Sequence, residues 1–299
     1  MGQHPVVQVP RALCPGDRIR VIAPSSPFDR TLVLRGMGWL GQRYRVEFDP
    51  GLFDATGFLA GSDKRRLREL DAALRSDAAA IVAARGGYGL TRIASRADWA
   101  ALAARPKWLV GFSDATVLHV EAARMGVASL HASMIAGLGR GDAHARQRWL
   151  DALEQPTYRR IFSGLETLTP GQASGPLAGG NLTTLFACSA SRRLVLPAGC
   201  ILVLEETGES SYRIDRMLTA LTEAGQLDGV AGVAVGDLVD CSHGRYGVPP
   251  LQVVAERLAA LRVPAVAGLP IGHGARNHPI PLGIRATLDT SRGSLSFGT

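Results

Sequence analysis

The sequence predicts an α/β fold of two domains built on a mostly parallel sheet. Three observations carry that expectation. Short apolar runs of strand length alternate with segments of helical period along the chain, which is the pattern of strands joined by crossover helices. At 299 residues the chain exceeds the usual size of one domain, and a chain of that length buries roughly 75% of its unfolded surface. Hydrophobic residues at 46% and charged residues at 20% are ordinary for a globular protein, and the wealth of Gly and Ala suits tight turns between strands and helices.

The first strand is expected over Asp17 to Ala23, ending in Pro24 and the polar turn Ser25-Ser26-Pro27. Helix signals follow from about Asp29 to Gln42, then a strand at Tyr44 to Phe48. Asp63 to Arg75 reads as an amphipathic helix, with Leu67, Leu70 and Leu74 at helical spacing and Ser62 or Asp63 as its cap. Ala79 to Ala84 is a buried strand of small residues that runs into Arg85-Gly-Gly-Tyr-Gly89. A helix over Ser95 to Ala104 leads to the strand Trp108 to Phe112 and the helix Ala115 to Arg124, with one more strand at Ala128 to His131.

From Asp142 to Ser174 the pattern loosens, and residues 151–174 are expected to link a first domain (1–150) to a second (175–299). In the second, Gly179-Gly180-Asn181 opens a helix from Leu182 to Cys188, and Cys200 to Leu204 is a short buried strand. Helices over Tyr212 to Ala224 and Pro250 to Leu261 flank a strand at Val230 to Val235. A loop rich in Gly and polar residues spans Leu269 to His278, and the tail closes as a β pair, Arg285 to Leu288 with Ser294 to Phe297.

Composition narrows the function classes. The net charge of +7 is dispersed apart from Lys64-Arg-Arg-Leu-Arg68, read as a solvated helix face, so no nucleic-acid partner is expected. The cysteines Cys14, Cys188, Cys200 and Cys241 form no C-x-x-C, which argues against structural zinc and a disulfide framework. Met1 to Arg20 holds no apolar run of signal-peptide length, and no stretch approaches the roughly 20 apolar residues that span a bilayer. The expectation is a cytoplasmic chain with no membrane partner.

Chemistry concentrates at strand ends. Gly111-Phe-Ser-Asp-Ala115 joins a strand to a helix, with small residues two places either side of Ser113, the layout of a nucleophile elbow. A Ser or Asp in front of a helix is also an ordinary N-cap. In an open parallel sheet the carboxyl ends of strands share one rim, and Pro24-Ser25-Ser26, Arg85 to Gly89 and Ser113 all fall there. The N–H groups of Gly86, Gly87 and Asp114 are candidates to hold an oxyanion; a plain glycine turn is the competing reading, and no phosphate-loop motif is present.

A hydroxyl nucleophile needs a base and the base an orienting carboxylate. Of seven histidines, His4, His144 and His243 are set aside as terminal or loop residues. His119 falls roughly 240° round the helix from Ser113 and points elsewhere. His131, His273 and His278 remain, and His273 lies between Gly272 and Gly274, which let an imidazole reach into a cleft. Glu205 and Glu206 follow an apolar strand and point to opposite faces, so only one serves a given site. Parity alone leaves the choice open, with Glu209 as a further candidate.

Taken together, Val21-Ile-Ala-Pro-Ser25, Arg85-Gly-Gly-Tyr-Gly89, Gly111-Phe-Ser-Asp114, Gly179-Gly-Asn-Leu182, Leu204-Glu-Glu206, Tyr212-Arg-Ile-Asp-Arg216 and Gly272-His273 resemble, in order and spacing, the LD-carboxypeptidase family of serine peptidases. The family includes muramoyltetrapeptide carboxypeptidases and microcin C immunity peptidases. The resemblance implies a flavodoxin-like N-terminal domain, a smaller β-rich C-terminal α/β domain and a homodimer, with no metal or organic cofactor. It implies Ser113 as nucleophile, Glu205 as orienting carboxylate, His273 as general base and an oxyanion site at Gly86, Gly87 and Asp114. Glu206, where muropeptide-cleaving members more often carry Asp, and the stretch Leu194 to Cys200 depart from the family pattern.

The expected reaction is release of terminal D-Ala from the tetrapeptide stem of recycled cell-wall fragments, with a small peptide as the partner. Arg85, Asn181 and Arg276 are candidates for holding that substrate, the arginines by pairing with its terminal carboxylate. One alternative is an immunity-type peptidase cleaving a peptidyl or aminoacyl sulfamoyl-adenylate. Such an enzyme should offer an aromatic to stack on the base, and the linker holds only Tyr158 and Phe162. A non-enzymatic alternative is a two-domain binding protein for small molecules.

Overall fold

The structure, a computed structural model, describes residues 7–298; His4 lies outside them. Two compact units divide the described residues: 7–156 with His278–Pro281, and Thr157–Asn277 with 282–298.

The first unit runs β1 (Arg18–Ile22), α1 (Arg30–Leu40), β2 (Arg45–Phe48), α2 (Asp63–Arg75), β3 (Ala80–Ala83), α3 (Ala100–Ala104), β4 (Trp108–Gly111), α4 (Thr116–Arg124), β5 (Ser129–His131), α5 (Ile135–Leu138) and α6 (Ala143–Glu154). Every residue of β3, β4 and β5 is buried, as strands covered on both faces must be. Ser62 caps α2 by accepting from Arg65 N at 3.2 Å, and Asp63 in its first turn and Arg75 in its last complement the helix dipole. The helix expected over Ser95 to Ala104 shrinks to α3, because Ala97 is extended and the chain before it forms two short 3₁₀ turns.

In the second unit β6 (Arg160–Phe162), β7 (Glu166–Thr169), β8 (Gln172–Asn181), α7 (Leu182–Ala190), β9 (Cys200–Thr207), α8 (Ser211–Glu223), β10 (Val230–Val239), α9 (Pro250–Leu261) and β11 (Ala265–Ala267) precede β13 (Arg285–Asp289) and β14 (Ser294–Phe297); β12 (Ile280–Leu282), between β11 and β13 in the chain, joins the first sheet. Residues 151–174, expected to be a linker, hold the end of α6, the strands β6 and β7 and the start of β8. Asp142 caps α6, which buries Trp149, Ala152 and Leu153 on one face of an otherwise polar helix. β6 pairs with β14 and β7 with β11, so backbone hydrogen bonds order a stretch whose composition is that of a loop.

Strand order in the first sheet is β12-β5-β4-β3-β1-β2, its parallel pairs running β2-β1-β3-β4-β5, the flavodoxin-like order. The order reverses between β1 and β3, the kind of switch point at which such folds bind ligands. The second sheet, β6-β14-β13-β8-β9-β10-β11-β7, has a parallel centre from β8 to β11 between antiparallel flanks. Among the described residues, no helix is long and apolar enough to cross a membrane.

Candidate active site

In the first unit, β4 delivers the chain to Phe112, which is extended, and then to Ser113 at φ +63°. A positive φ costs a side-chain-bearing residue about 1–2 kcal/mol, and such strain collects at functional turns. Ser113 opens a 3₁₀ turn that continues directly into α4, so its hydroxyl sits at a helix entrance and is half-buried. A Cβ on Gly111 would lie 2.6 Å from the Cβ of Ala115, so the elbow requires glycine there.

His119 is buried on α4, and its ring nitrogens meet Gly111 and Ser129 rather than Ser113. Its Nε2 lies 3.0 Å from the Gly111 carbonyl and its Nδ1 2.9 Å from Ser129 Oγ. Since a carbonyl only accepts, the proton sits on Nε2 and Nδ1 accepts from the serine. Burial pushes this imidazole down to about 4 against the weaker pull of the Gly111 carbonyl. The folded-state value lies below the ordinary 6.5, so the unfolded chain takes up the proton first as pH falls. Stability should therefore drop by about 3 kcal/mol between pH 7 and about pH 4 on this account alone. Thermal unfolding across that range, compared with His119→Gln, checks it: the variant should lose much of the slope.

The loop after β3 presses on the nucleophile. A Cβ on Gly86 would come within 2.9 Å of Ser113 Cβ and 3.0 Å of its Oγ, and one on Gly87, at φ +103°, would overlap Ser26. Ser26 N donates to Gly86 O at 3.2 Å, while Ser26 Oγ accepts from Tyr88 N at 3.1 Å. The N–H groups of Gly86, Gly87 and Asp114 meet no acceptor among the described residues. Such donors beside a hydroxyl suit a developing oxyanion. The Asp114 carboxylate, raised by burial, accepts from Ser25 Oγ at 2.6 Å and Leu90 N at 2.9 Å, joining three loops.

Arg65 and Arg66, read as part of a solvated face, are buried instead. Arg65 donates to Ala23 O at 2.9 Å and to the Glu69 carboxylate at 2.7 Å, which in turn accepts from Ala23 N. Arg66, wholly enclosed, bridges the carbonyls of Pro24 and Gly89 and pairs with Asp63. Loop carbonyls and the carboxylates of Glu69 and Asp63 engage the terminal nitrogens of both guanidinium groups, and that makes burial tolerable where a solvated face was expected. The signal was present in the sequence: Arg66 shares a helix face with Leu70, Ala73 and Leu74. Arg85 is exposed and donates to Pro27 O at 2.6 Å.

The second unit supplies an imidazole and a carboxylate. β9 extends through both glutamates, beyond the expected end at Leu204, and its parity sends them to opposite faces. Glu205, with no exposed surface, accepts from His273 Nδ1 at 2.8 Å. Burial, opposed by His273 and the Asn181 amide, raises the Glu205 carboxyl. Burial lowers His273, but the Glu205 hydrogen bond and charge, helped by Glu206 and Asp237, outweigh it and hold the imidazole above its ordinary value. Gly272 takes φ +113°, and a Cβ there would lie 2.8 Å from Glu205 Oε2.

Glu206 serves the framework. It accepts from Asn181 Nδ2 at 3.1 Å, Thr183 N at 2.7 Å and Thr207 N at 2.8 Å, tying the start of α7 to the end of β9. Gly179 and Gly180 end β8 rather than opening a helix, and Asn181 caps α7 by accepting from Thr184 N. With its carbonyl and amide so used and only 5% of its surface exposed, Asn181 positions Glu206 and leaves little for a substrate. Arg276 is exposed on the His273 loop. His131 is buried against Phe112 and His119, His278 is half-buried, and His144 and His243 are exposed.

Comparison with known proteins agrees with both units. Residues 19–132 match the LD-carboxypeptidase N-terminal domain and residues 174–288 the LD-carboxypeptidase C-terminal domain. The chain is 33% identical over 297 residues to the murein tetrapeptide carboxypeptidase of Pseudomonas aeruginosa, covering 92% of this chain and 94% of that protein. The muramoyltetrapeptide carboxypeptidase of Oxalobacter formigenes superposes with a TM-score of 0.84 at 29% identity, over 94% of this chain and 99% of the other. The microcin C7 self-immunity protein MccF, solved with glutamyl sulfamoyl guanosine, superposes at 0.86 over 99% of each chain, but at 20% identity that likeness speaks to the fold alone. With matches to both domains and a relative alike over nearly its whole length, this chain belongs to the LD-carboxypeptidase family of peptidases.

Proposed function

We propose that the protein hydrolyses the L,D-peptide bond that holds the terminal D-Ala of murein tetrapeptide, in recycling of cell-wall fragments, by acyl transfer through Ser113, His273 and Glu205. The observation that carries the mechanism is the buried Glu205 carboxylate 2.8 Å from His273 Nδ1. That bond fixes Nδ1 as the protonated nitrogen and makes Nε2 the base. His273 Nε2 takes the Ser113 proton as Oγ attacks the scissile carbonyl, and Glu205 stabilises the imidazolium so formed. The N–H groups of Gly87 and Asp114, with Gly86, hold the oxyanion, a contribution of about 3 kcal/mol per donor in comparable sites. The imidazolium then protonates the leaving D-Ala amine, and water, activated by the same nitrogen, frees the acyl chain.

The substrate reading draws on the likeness to the Pseudomonas murein tetrapeptide carboxypeptidase. Arg276, exposed one turn of loop beyond His273, is the better placed candidate for the substrate's terminal carboxylate, since Arg85 already spends a donor on Pro27. A homodimer accords with the family resemblance, and a cytoplasmic site of action accords with a substrate made of recycled fragments. Membership of a peptidase family sets aside the binding-protein alternative.

The direct test incubates the protein with a murein tetrapeptide and, in parallel, with an aminoacyl sulfamoyl nucleoside, and follows both by mass spectrometry. Release of D-Ala from the first with the second left intact is the expected result. The reverse pattern would assign the chain to the immunity type.

A further inference from the structure

The His273 loop is held from a second side. β10 runs alongside β9, and at the irregularity in their register between Val235 and Leu238, Asp237 meets the loop: its N donates to Ile271 O at 2.9 Å, and its Oδ2 accepts from Gly274 N at 3.1 Å. The approach is close enough that a Cβ on Gly274 would overlap the Asp237 carboxylate. Asp237 thus grips the residues on both sides of Gly272 and His273, while Glu205 grips the ring between them. The carboxylate is half-buried, and Arg276, on the same loop, is its nearby counter-charge.

We infer that Asp237 is a positioning residue for the reaction: its carboxylate fixes the backbone that carries His273 and sets a second negative charge beside the imidazole, complementary to the cation formed when Ser113 gives up its proton. Glu205 does the orienting through the ring nitrogen, and Asp237 does it through the main chain. The charges acting on His273 are Glu205, which holds its ring, Glu206 from the other face of β9 and Asp237 from β10, with Arg276 on the loop itself opposing Asp237.

The two roles come apart in two variants. Asp237→Asn keeps an oxygen for Gly274 N–H and removes the charge; Asp237→Ala removes both. The rate below neutrality is limited by neutral His273, so loss of a neighbouring negative charge moves the acid limb of kcat/KM toward lower pH. One unit below the parent's limb, Asp237→Asn should keep about two to three times more of its plateau rate than the parent does. Its plateau kcat should fall about threefold, and that of Asp237→Ala tenfold or more with KM little changed. Superimposed pH profiles for Asp237→Asn and parent, together with a parental kcat in a folded Asp237→Ala, would overturn the inference. It rests on His273 as the base: a His273→Ala enzyme at parental activity would remove that reading, whereas a His273-dependent enzyme indifferent to Asp237 removes only this one.

Discussion

Ser113→Ala is expected to lower kcat roughly ten-thousandfold to a millionfold while leaving the circular dichroism spectrum unchanged. The residue is defined by its backbone as much as by its hydroxyl. At φ +63°, beside Gly86 and at the entrance of α4, it pays for its conformation in strain, and alanine inherits that strain without the nucleophile. Ser113→Gly accepts the same φ freely and should be equally inactive while more stable than Ser113→Ala by up to about 1 kcal/mol, seen as a higher unfolding temperature. Assay on a tetrapeptide alongside thermal melts separates the two effects. Parental activity in either variant would dismiss Ser113 as the nucleophile.

The two adjacent glutamates should fail in different ways. Glu205→Gln keeps an oxygen for His273 but loses the charge that steadies the imidazolium, and kcat should fall roughly a thousandfold or more. Glu206→Gln leaves the Glu205–His273 hydrogen bond in place, removes only a charge on the other face of the strand, and disturbs the bonds to Asn181, Thr183 and Thr207; it should cost about 1–3 kcal/mol of stability with less than about a tenfold loss of rate. Urea unfolding and steady-state kinetics on both variants are the measurement. A larger kinetic loss at 206 would reverse the assignment of the carboxylate.

Elements with a strong period or a clear start signal are legible in the sequence: α2 behind Ser62, α9 from Pro250, and the five parallel strands that set the first sheet's order. The elbow was legible because its requirements are local, a small residue on each side of Ser113. β8 was not, for its glycines read as turns. They are there because another backbone passes too close for a side chain: a Cβ on Gly175 would overlap the Gly199 carbonyl, and one on Gly179 the Val203 carbonyl. Nor could pattern reading find α6, whose buried face is one Trp with Ala and Leu. Of the supports of the site, Arg66 betrays its burial by sharing a helix face with Leu70, Ala73 and Leu74, whereas His119 and Asp237 do not: each meets main-chain groups of another element, and nothing in a side chain's own neighbourhood announces which carbonyl or N–H it will meet.

The short strand β12 adds a consequence for how the protein is made. It lies at the edge of the first sheet beside β5, although more than a hundred residues of chain belonging to the second unit come before it. A ribosome that has finished Pro156 has therefore not finished the first unit, whose border beside β5 stays open until β12 emerges. An open strand border is a template for unwanted pairing, so a fragment cut after Pro156 inherits a sticky edge.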